Sequence, residues 1–375
     1  MKVQQLSLNE ETWLNAIDVL NINTNLCLLF ASPDFKLTQR VVEALSQRFK
    51  NAFIVGCSTA GEISDVAVRD RTISLTAIEF EKTTTKLISS QINDGSCSFE
   101  KGQKIAEALW QDDLEHVLIF SDGLNVNGAD LVSGLKSKLK NVSITGGLAA
   151  DGADFKKTFV INNTKISDKT IVGLGLYGSN LNVGYGSKGG WDSFGIERKV
   201  TKSHKNVLYE LDGMPALQLY KSFLGQQAEN LPLSALLFPL RMRCHEINRP
   251  VVRTILGVNE EEQSLTFAGN IHENSYVRLM KSNIDRLIDG AEDSAAIASE
   301  KLNGSTELAI LISCVGRRLV MKQMVEEEVE AVKDIMGDAV TLTGFYSYGE
   351  IAPFEKSSPC ELHNQTMTIT TLSEC

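Results

Sequence analysis

One pattern occurs three times along the chain and restricts the fold more than any other feature. It reads as an apolar strand-length run, an amphipathic helical stretch, a second apolar run, a glycine-rich turn and an alternating return strand. The first copy starts at Leu26–Ala31, passes through 37–49 and 52–55, and turns at Gly56-Cys-Ser-Thr-Ala-Gly-Glu-Ile63. In 72–80 the apolar Ile73, Leu75 and Ala77 alternate with Thr72, Ser74 and Thr76, the period of a half-buried strand. The second copy runs from 117–120 through 129–139 and 142–145 to Gly146-Gly-Leu-Ala-Ala-Asp-Gly152, with return strands at 158–162 and 171–177. Ser32 and Asp122 are 90 residues apart, as are Gly56 and Gly146, and a shared offset at two landmarks points to duplication. The third copy starts at 308–313, uses a helix at 321–336 and ends in Gly344-Phe-Tyr-Ser-Tyr-Gly-Glu-Ile351, so that copies one and three share G-x-x-x-x-G-E-I.

Each copy implies a right-handed βαβ crossover with antiparallel additions, hence mixed sheets rather than a purely parallel one. The expected fold is α/β: mixed sheets covered by helices and built from repeated β-α-β-β units, with α-β-β-α layering as a natural arrangement. The stretch from 184 to about 300 reads as a different, α+β module. The division expected is an N-terminal domain at 1–205 holding two units and a C-terminal domain at 206–375 holding the third. Of the 375 residues 43% are hydrophobic, 22% are charged and only 7 are proline, the profile of a chain that folds without staples.

The glycine-rich turns are the first candidates for ligand contact, since amides exposed at a strand end can hold an anion. Ser58, Thr59 and Glu62 lie in the first turn, and Tyr346, Tyr348 and Glu350 in the third. Trp191 and Arg198 offer an aromatic wall and a cation suited to a carboxylate. Arg253 and Arg278 stand in apolar strand-like runs, where a cation calls for a partner such as Glu62, Glu350 or a ligand carboxylate, because burying it alone is costly. For each of these residues tight turning, core packing or a structural ion pair is the competing reading.

The segments 56–63, 146–152, 190–203, 206–213, 252–254, 277–280 and 344–351, with His363-Asn364, together resemble the FIST family of bacterial sensory proteins. The resemblance implies a domain that binds a small ligand, amino-acid-like metabolites being the usual class. It also implies output to a separate histidine kinase or cyclic-di-GMP enzyme, because the chain carries no effector segment of its own. One subset of the family senses nitric oxide on haem. On that alternative the axial ligand would come from His204, His245 or His272, and the haem would be non-covalent because no C-x-x-C-H motif is present.

Several classes fall away. The net charge of −10 and the lack of a basic block argue against nucleic acid. No apolar run approaches the roughly 20 residues of a membrane helix, and the polar first residues do not read as a signal peptide. Seven scattered cysteines without a C-x-x-C pair fit neither a disulfide framework nor a zinc cluster, and point to a reducing cytoplasm. No nucleophile elbow, metalloprotease or P-loop motif occurs, so the expectation is no catalytic residue. Homo-oligomerisation stays open.

Overall fold

Each unit proves longer than the repeated pattern, because an edge strand and a helix precede it. The computed structural model describes residues 1–244, 249–300, 306–354 and 358–375. The first unit comprises β1 (Lys2–Leu8), α1 (Trp13–Asp18), β2 (Leu26–Ala31), α2 (Thr38–Arg48), β3 (Phe53–Ser58), the hairpin β4 (Glu62–Ser64) and β5 (Ala67–Arg69), and β6 (Ile73–Glu79). The second repeats this order as β7 (Thr84–Gln91), α3 (Ser98–Leu109), β8 (Leu114–Ser121), α4 (Gly128–Lys138), β9 (Ser143–Leu148), the hairpin β10 (Val160–Asn162) and β11 (Lys165–Ser167), and β12 (Thr170–Tyr177). The third opens with β13 (Leu181–Lys188), and the chain then leaves for an inserted module. That module holds β14 (Trp191–His204), β15 (Val207–Leu211), β16 (Met214–Pro215), α5 (Ala216–Leu224), β17 (Leu240–Arg243), β18 (Val251–Arg253), β19 (Ile255–Asn259), β20 (Ser264–Phe267) and β21 (Tyr276–Ser282). The third unit resumes with α6 (Ile284–Ser299), β22 (Leu308–Cys314), α7 (Val315–Met321), α8 (Glu327–Met336), β23 (Thr341–Ser347), the hairpin β24 (Gly349–Pro353) and β25 (Cys360–His363), and β26 (Met367–Glu374).

The mixed α/β class expected from the repeats is the one observed. Each unit contributes four strands to one sheet around a parallel pair, β2/β3, β8/β9 or β22/β23. Each sheet is then completed by the hairpin of another unit: β10–β11 extends the first, β24–β25 the second and β4–β5 the third. The exchange is cyclic, so three six-stranded sheets close into a pseudo-threefold ring. Alternation along β2 shows why neither face of this central strand is wet. Leu26, Leu28 and Phe30 enter a core shared by all three units, while Cys27, Leu29 and Ala31 pack under the helices of their own unit. Phe30, Phe120 and Phe345 meet in the shared core at centroid distances of 5.7, 4.7 and 6.3 Å. A four-layer sandwich therefore does not describe the molecule; three sheets share one centre.

Glycine is required where the turn begins. A Cβ on Gly56, Gly146 or Gly344 would lie 1.7, 2.0 or 1.8 Å from the carbonyl oxygen of Leu29, Ile119 or Leu311 on the parallel neighbour. The stretch from 184 to 300 is not all foreign to the repeat, since β13 and α6 belong to the third unit and only 190–282 forms the separate eight-stranded module. The 205/206 position falls in the tight turn between β14 and β15, where His204 pairs with Val207. Among the described residues, no helix is long and apolar enough to cross a membrane.

Candidate functional site

The cyclic closure brings three equivalent turns together at the carboxyl ends of the parallel strands, the place where open α/β sheets hold ligands. The Ala60 amide donates to the Tyr346 carbonyl (2.8 Å), Ala150 to Ser58 (2.9 Å) and Tyr348 to Leu148 (3.2 Å), so each turn is stitched to the next unit. Each site also includes a residue with left-handed backbone, Arg71, Lys169 or Gln365 (φ 58°, 48° and 66°), just before Thr72, Thr170 or Thr366. The carbonyls of those threonines accept the amides of Ser32, Asp122 and Cys314.

The first of these turns opens into a cleft of about 420 Å³ bordered by Ser32, Asp34, Thr59, Glu62, Arg71 and Asp151, among others. Glu62 is 1% exposed and both of its oxygens accept hydrogen bonds. Thr59 donates its hydroxyl to Oε1, and Thr72 donates its amide (3.1 Å) and hydroxyl (2.8 Å) to Oε2. Burial pushes the Glu62 carboxyl up to about 7, against the opposing pull of those donors. Asp70, on the same rim, holds Arg318 of α7 through two contacts of 2.8 and 2.7 Å, and Arg318 also donates to the Ala60 carbonyl. Asp151 accepts the amides of Phe155, Lys156 and Lys157 (2.9, 2.8 and 2.6 Å) and the hydroxyl of Tyr348, which stacks on Phe155 at 4.5 Å.

The third turn repeats this chemistry in a closed form. Ser347 donates to Glu350 Oε1 (2.8 Å), and Thr366 donates its amide (3.2 Å) and hydroxyl (3.0 Å) to Oε2. Fully buried, Glu350 is pushed up to about 8. Tyr346 donates to Glu328 Oε1 (2.5 Å), whose other oxygen takes Arg317 Nε and Nη2 (2.9 and 2.6 Å); burial raises the phenol. Gln365, where the first turn has Arg71, donates through Nε2 to the Leu236 carbonyl (3.0 Å) and Thr254 Oγ1 (3.1 Å) of the inserted module. The second turn has Gly152 in place of the glutamate.

Several expectations change at this point. The first turn is not an anion cradle: the Ser58 amide donates to the Phe159 carbonyl (2.9 Å), the Ala60 amide to Tyr346 and the Gly61 amide to Thr59 Oγ1 (3.3 Å). The Ser58 hydroxyl is buried and accepts the Phe159 amide (3.0 Å). Trp191 is an anchor whose Nε1 donates to the Gln365 carbonyl (3.0 Å), and Arg198 pairs with Asp212 (3.0 Å), far along β14. Among the described residues no carboxylate is in hydrogen-bonding contact with Arg253; the carbonyls of Asn270, Val252 and Leu362 take its guanidinium (3.2, 3.3 and 2.9 Å), and burial lowers it to about 10. Of the nine ligand candidates the structure thus gathers Thr59 and Glu62 at the cleft, with Tyr348 reaching it through Asp151, while Ser58 is buried and does not line it. Asp34, Asp70, Arg71, Asp151 and Arg318 were not singled out from the sequence.

His204 is exposed and His272 half-buried, and neither borders the cleft; His245 lies outside the described residues. His116 is held between Ser143 (2.7 Å) and Thr145 (3.0 Å), and His363 Nε2 is bonded to the Ala352 carbonyl (2.7 Å), with burial lowering that imidazole to about 4.

A family model described as the FIST N domain matches residues 25–214, and one described as the FIST C domain matches 216–353. An uncharacterized protein of Methanocaldococcus jannaschii is 26% identical over 322 residues, 78% of this chain and 60% of that one. The chain thus spans about three fifths of that relative's length. Among solved structures, cyanuric acid hydrolase from A. caulinodans aligns over 99% of both chains at 7% identity, with a TM-score of 0.40. PurLQS from Thermotoga maritima aligns over 99% of this chain and 72% of its own at 11% identity, with a TM-score of 0.21. Likenesses at these scores carry no argument about this chain.

Proposed function

This chain belongs to the FIST family of sensory domains, and from that membership we propose that it binds a small polar ligand in the Glu62 cleft and is read by a separate signalling protein. The single observation that carries this reading is Glu62 itself. It is a buried carboxyl poised near neutrality on a solvent-open cleft. Three aspartates (Asp34, Asp70 and Asp151) border the same space against the cations of Arg71 and Arg318. The excess of acid favours a ligand with an ammonium group, as an amino acid or small amine has, with the exposed Arg71, which meets Asp34 only at 3.9 Å, placed to take a carboxylate on the same molecule. Partners of the histidine-kinase or cyclic-di-GMP class would supply the output.

Binding rather than catalysis suits these groups. Acyl transfer would need amide donors for an oxyanion, and those of Ala60 and Gly61 are already bonded. Burial raises the Cys57 thiol, which removes the thiolate a nucleophile requires.

A thermal-shift panel of amino acids and small amines tests the proposal. A specific ligand at about 100 times its Kd adds about 2.7 kcal/mol to stability, and Glu62→Gln should cut that gain sharply. A panel in which nothing stabilises the protein, or in which Glu62→Gln keeps the full shift, refutes it.

A further inference from the structure

Arg278, singled out in the sequence as a cation in an apolar run, plays no part in the cleft; it stands on the outer face of the inserted module. There β17 and β21 pair so that Arg241 lies directly opposite Arg278, and Arg243 opposite Tyr276. Met242, Val277 and Leu279 alternate to the other face and are buried, which fixes the arginines outward. Like charges in direct cross-strand register oppose pairing. The compensation in reach is partial. Glu197 is taken by Arg243 through two contacts of 2.7 and 2.6 Å, and among the described residues the Arg278 guanidinium has its hydrogen bond from Nε to the Gly195 carbonyl at 2.9 Å. Arg243 also lies over the Tyr276 ring at 4.4 Å. At the β14 bulge between Phe194 and Arg198, beside these residues, Ile196 is 66% exposed, the largest exposure among the big apolar side chains of the described residues.

We infer that this face, built from Arg241, Arg243, Arg278, Tyr276 and Ile196, docks an acidic segment of a partner protein. Arginine and tyrosine beside an exposed aliphatic side chain are the composition of protein interfaces, and guanidinium forks match carboxylates in pairs. A chain with a net charge of −10 repels its own copies, so charge complementarity selects a different protein as the occupant. The face gives the sensory reading its partner and depends on that reading only for its meaning. Its test uses no cleft ligand, so either can fail alone.

The probe is a fluorescein-labelled peptide of alternating glutamate and leucine, followed by anisotropy with the full chain at low and high salt. Arg241→Glu with Arg278→Glu should weaken binding about tenfold or more, while the charge-matched Lys101→Glu with Lys104→Glu on α3 changes it less than about twofold. Arg241→Gln should weaken the peptide yet leave the melting temperature unchanged or raised, because it relieves the cross-strand repulsion. Four results overturn the inference: no binding by the wild type at low salt; equal losses in the two charge-matched pairs; displacement by inorganic phosphate at constant ionic strength, which marks a free-anion site; and self-association that the Arg241/Arg278 reversal abolishes, which marks an interface between copies.

Discussion

The first and third turns carry the same hydroxyl, carboxyl and threonine in the same hydrogen-bonding pattern, yet one is open and the other sealed. Thr59, Glu62 and Thr72 match Ser347, Glu350 and Thr366 contact for contact. What differs is the cover. Arg71, in the left-handed position of the first turn, has a side chain 81% exposed, whereas its counterpart Gln365 is buried and tied to Leu236 and Thr254. The module inserted between β13 and α6 thus closes the third turn and leaves the first facing solvent. A repeated motif becomes a binding site only where its surroundings leave room, and motif matching alone would have ranked the two turns equally.

The comparison can be broken most severely at the neighbouring arginines of α7, one reaching into each turn. Arg317→Ala strands Glu328 in the closed turn and should cost about 3–5 kcal/mol in denaturant unfolding. The Arg318 partner Asp70 is two-thirds exposed, so Asp70→Asn should barely move the midpoint. Comparable losses from the two would mean that the closed turn is not the rigid one.

A second contrast lies in pH. Both glutamates are raised in the folded state, so the native protein holds their protons to higher pH than the unfolded chain does. Their contribution is fully present below about 4.5 and is lost as pH rises to about 7 for Glu62 and about 8 for Glu350. His363, lowered to about 4, has the opposite slope: its contribution is present above about 6.5 and lost as pH falls through 4. Glu350→Gln should therefore flatten the decline of stability between pH 5 and 8 more than Glu62→Gln does. An unchanged profile in Glu350→Gln would remove the burial argument. The smallest effect expected is on Arg71→Ala, which should leave the melting temperature within a degree or two, as exposed substitutions do, while weakening a carboxylate-bearing ligand.

The ring was legible in the sequence where burial is two-sided. Runs such as Leu26–Ala31 and the octet shared by 56–63 and 344–351 stand out because both strand faces are apolar and Gly56 and Gly344 cannot carry a side chain. The leading strand of each unit, and the leading helix of the first two, escaped notice. Lys2–Leu8 is an edge strand with mixed composition, and Leu181–Lys188 is separated from Ile284–Ser299 by the whole inserted module. At the site, Thr59 and Glu62 were legible because they share one turn. Arg318 lies 248 residues beyond its partner Asp70 and Asp151 comes from the second unit, and only ring closure places them there; no local spacing encodes such a meeting. Arg253 misled because the sequence cannot show that three backbone carbonyls would take its guanidinium.

The central claim is that Glu62 gives the open turn a ligand site coupled to protonation. The direct measurement is calorimetric titration, at pH 6 and pH 8, of the amine or amino acid that stabilises the protein most, into wild type, Glu62→Gln and Glu350→Gln. A cationic ligand prefers the ionised carboxylate, so wild-type affinity should rise about tenfold between the two pH values, as the ionised fraction of a group titrating near 7 does. Glu350→Gln should keep that dependence and Glu62→Gln should lose it. A dependence that survives in Glu62→Gln, or vanishes in Glu350→Gln, would place the site elsewhere and contradict the account.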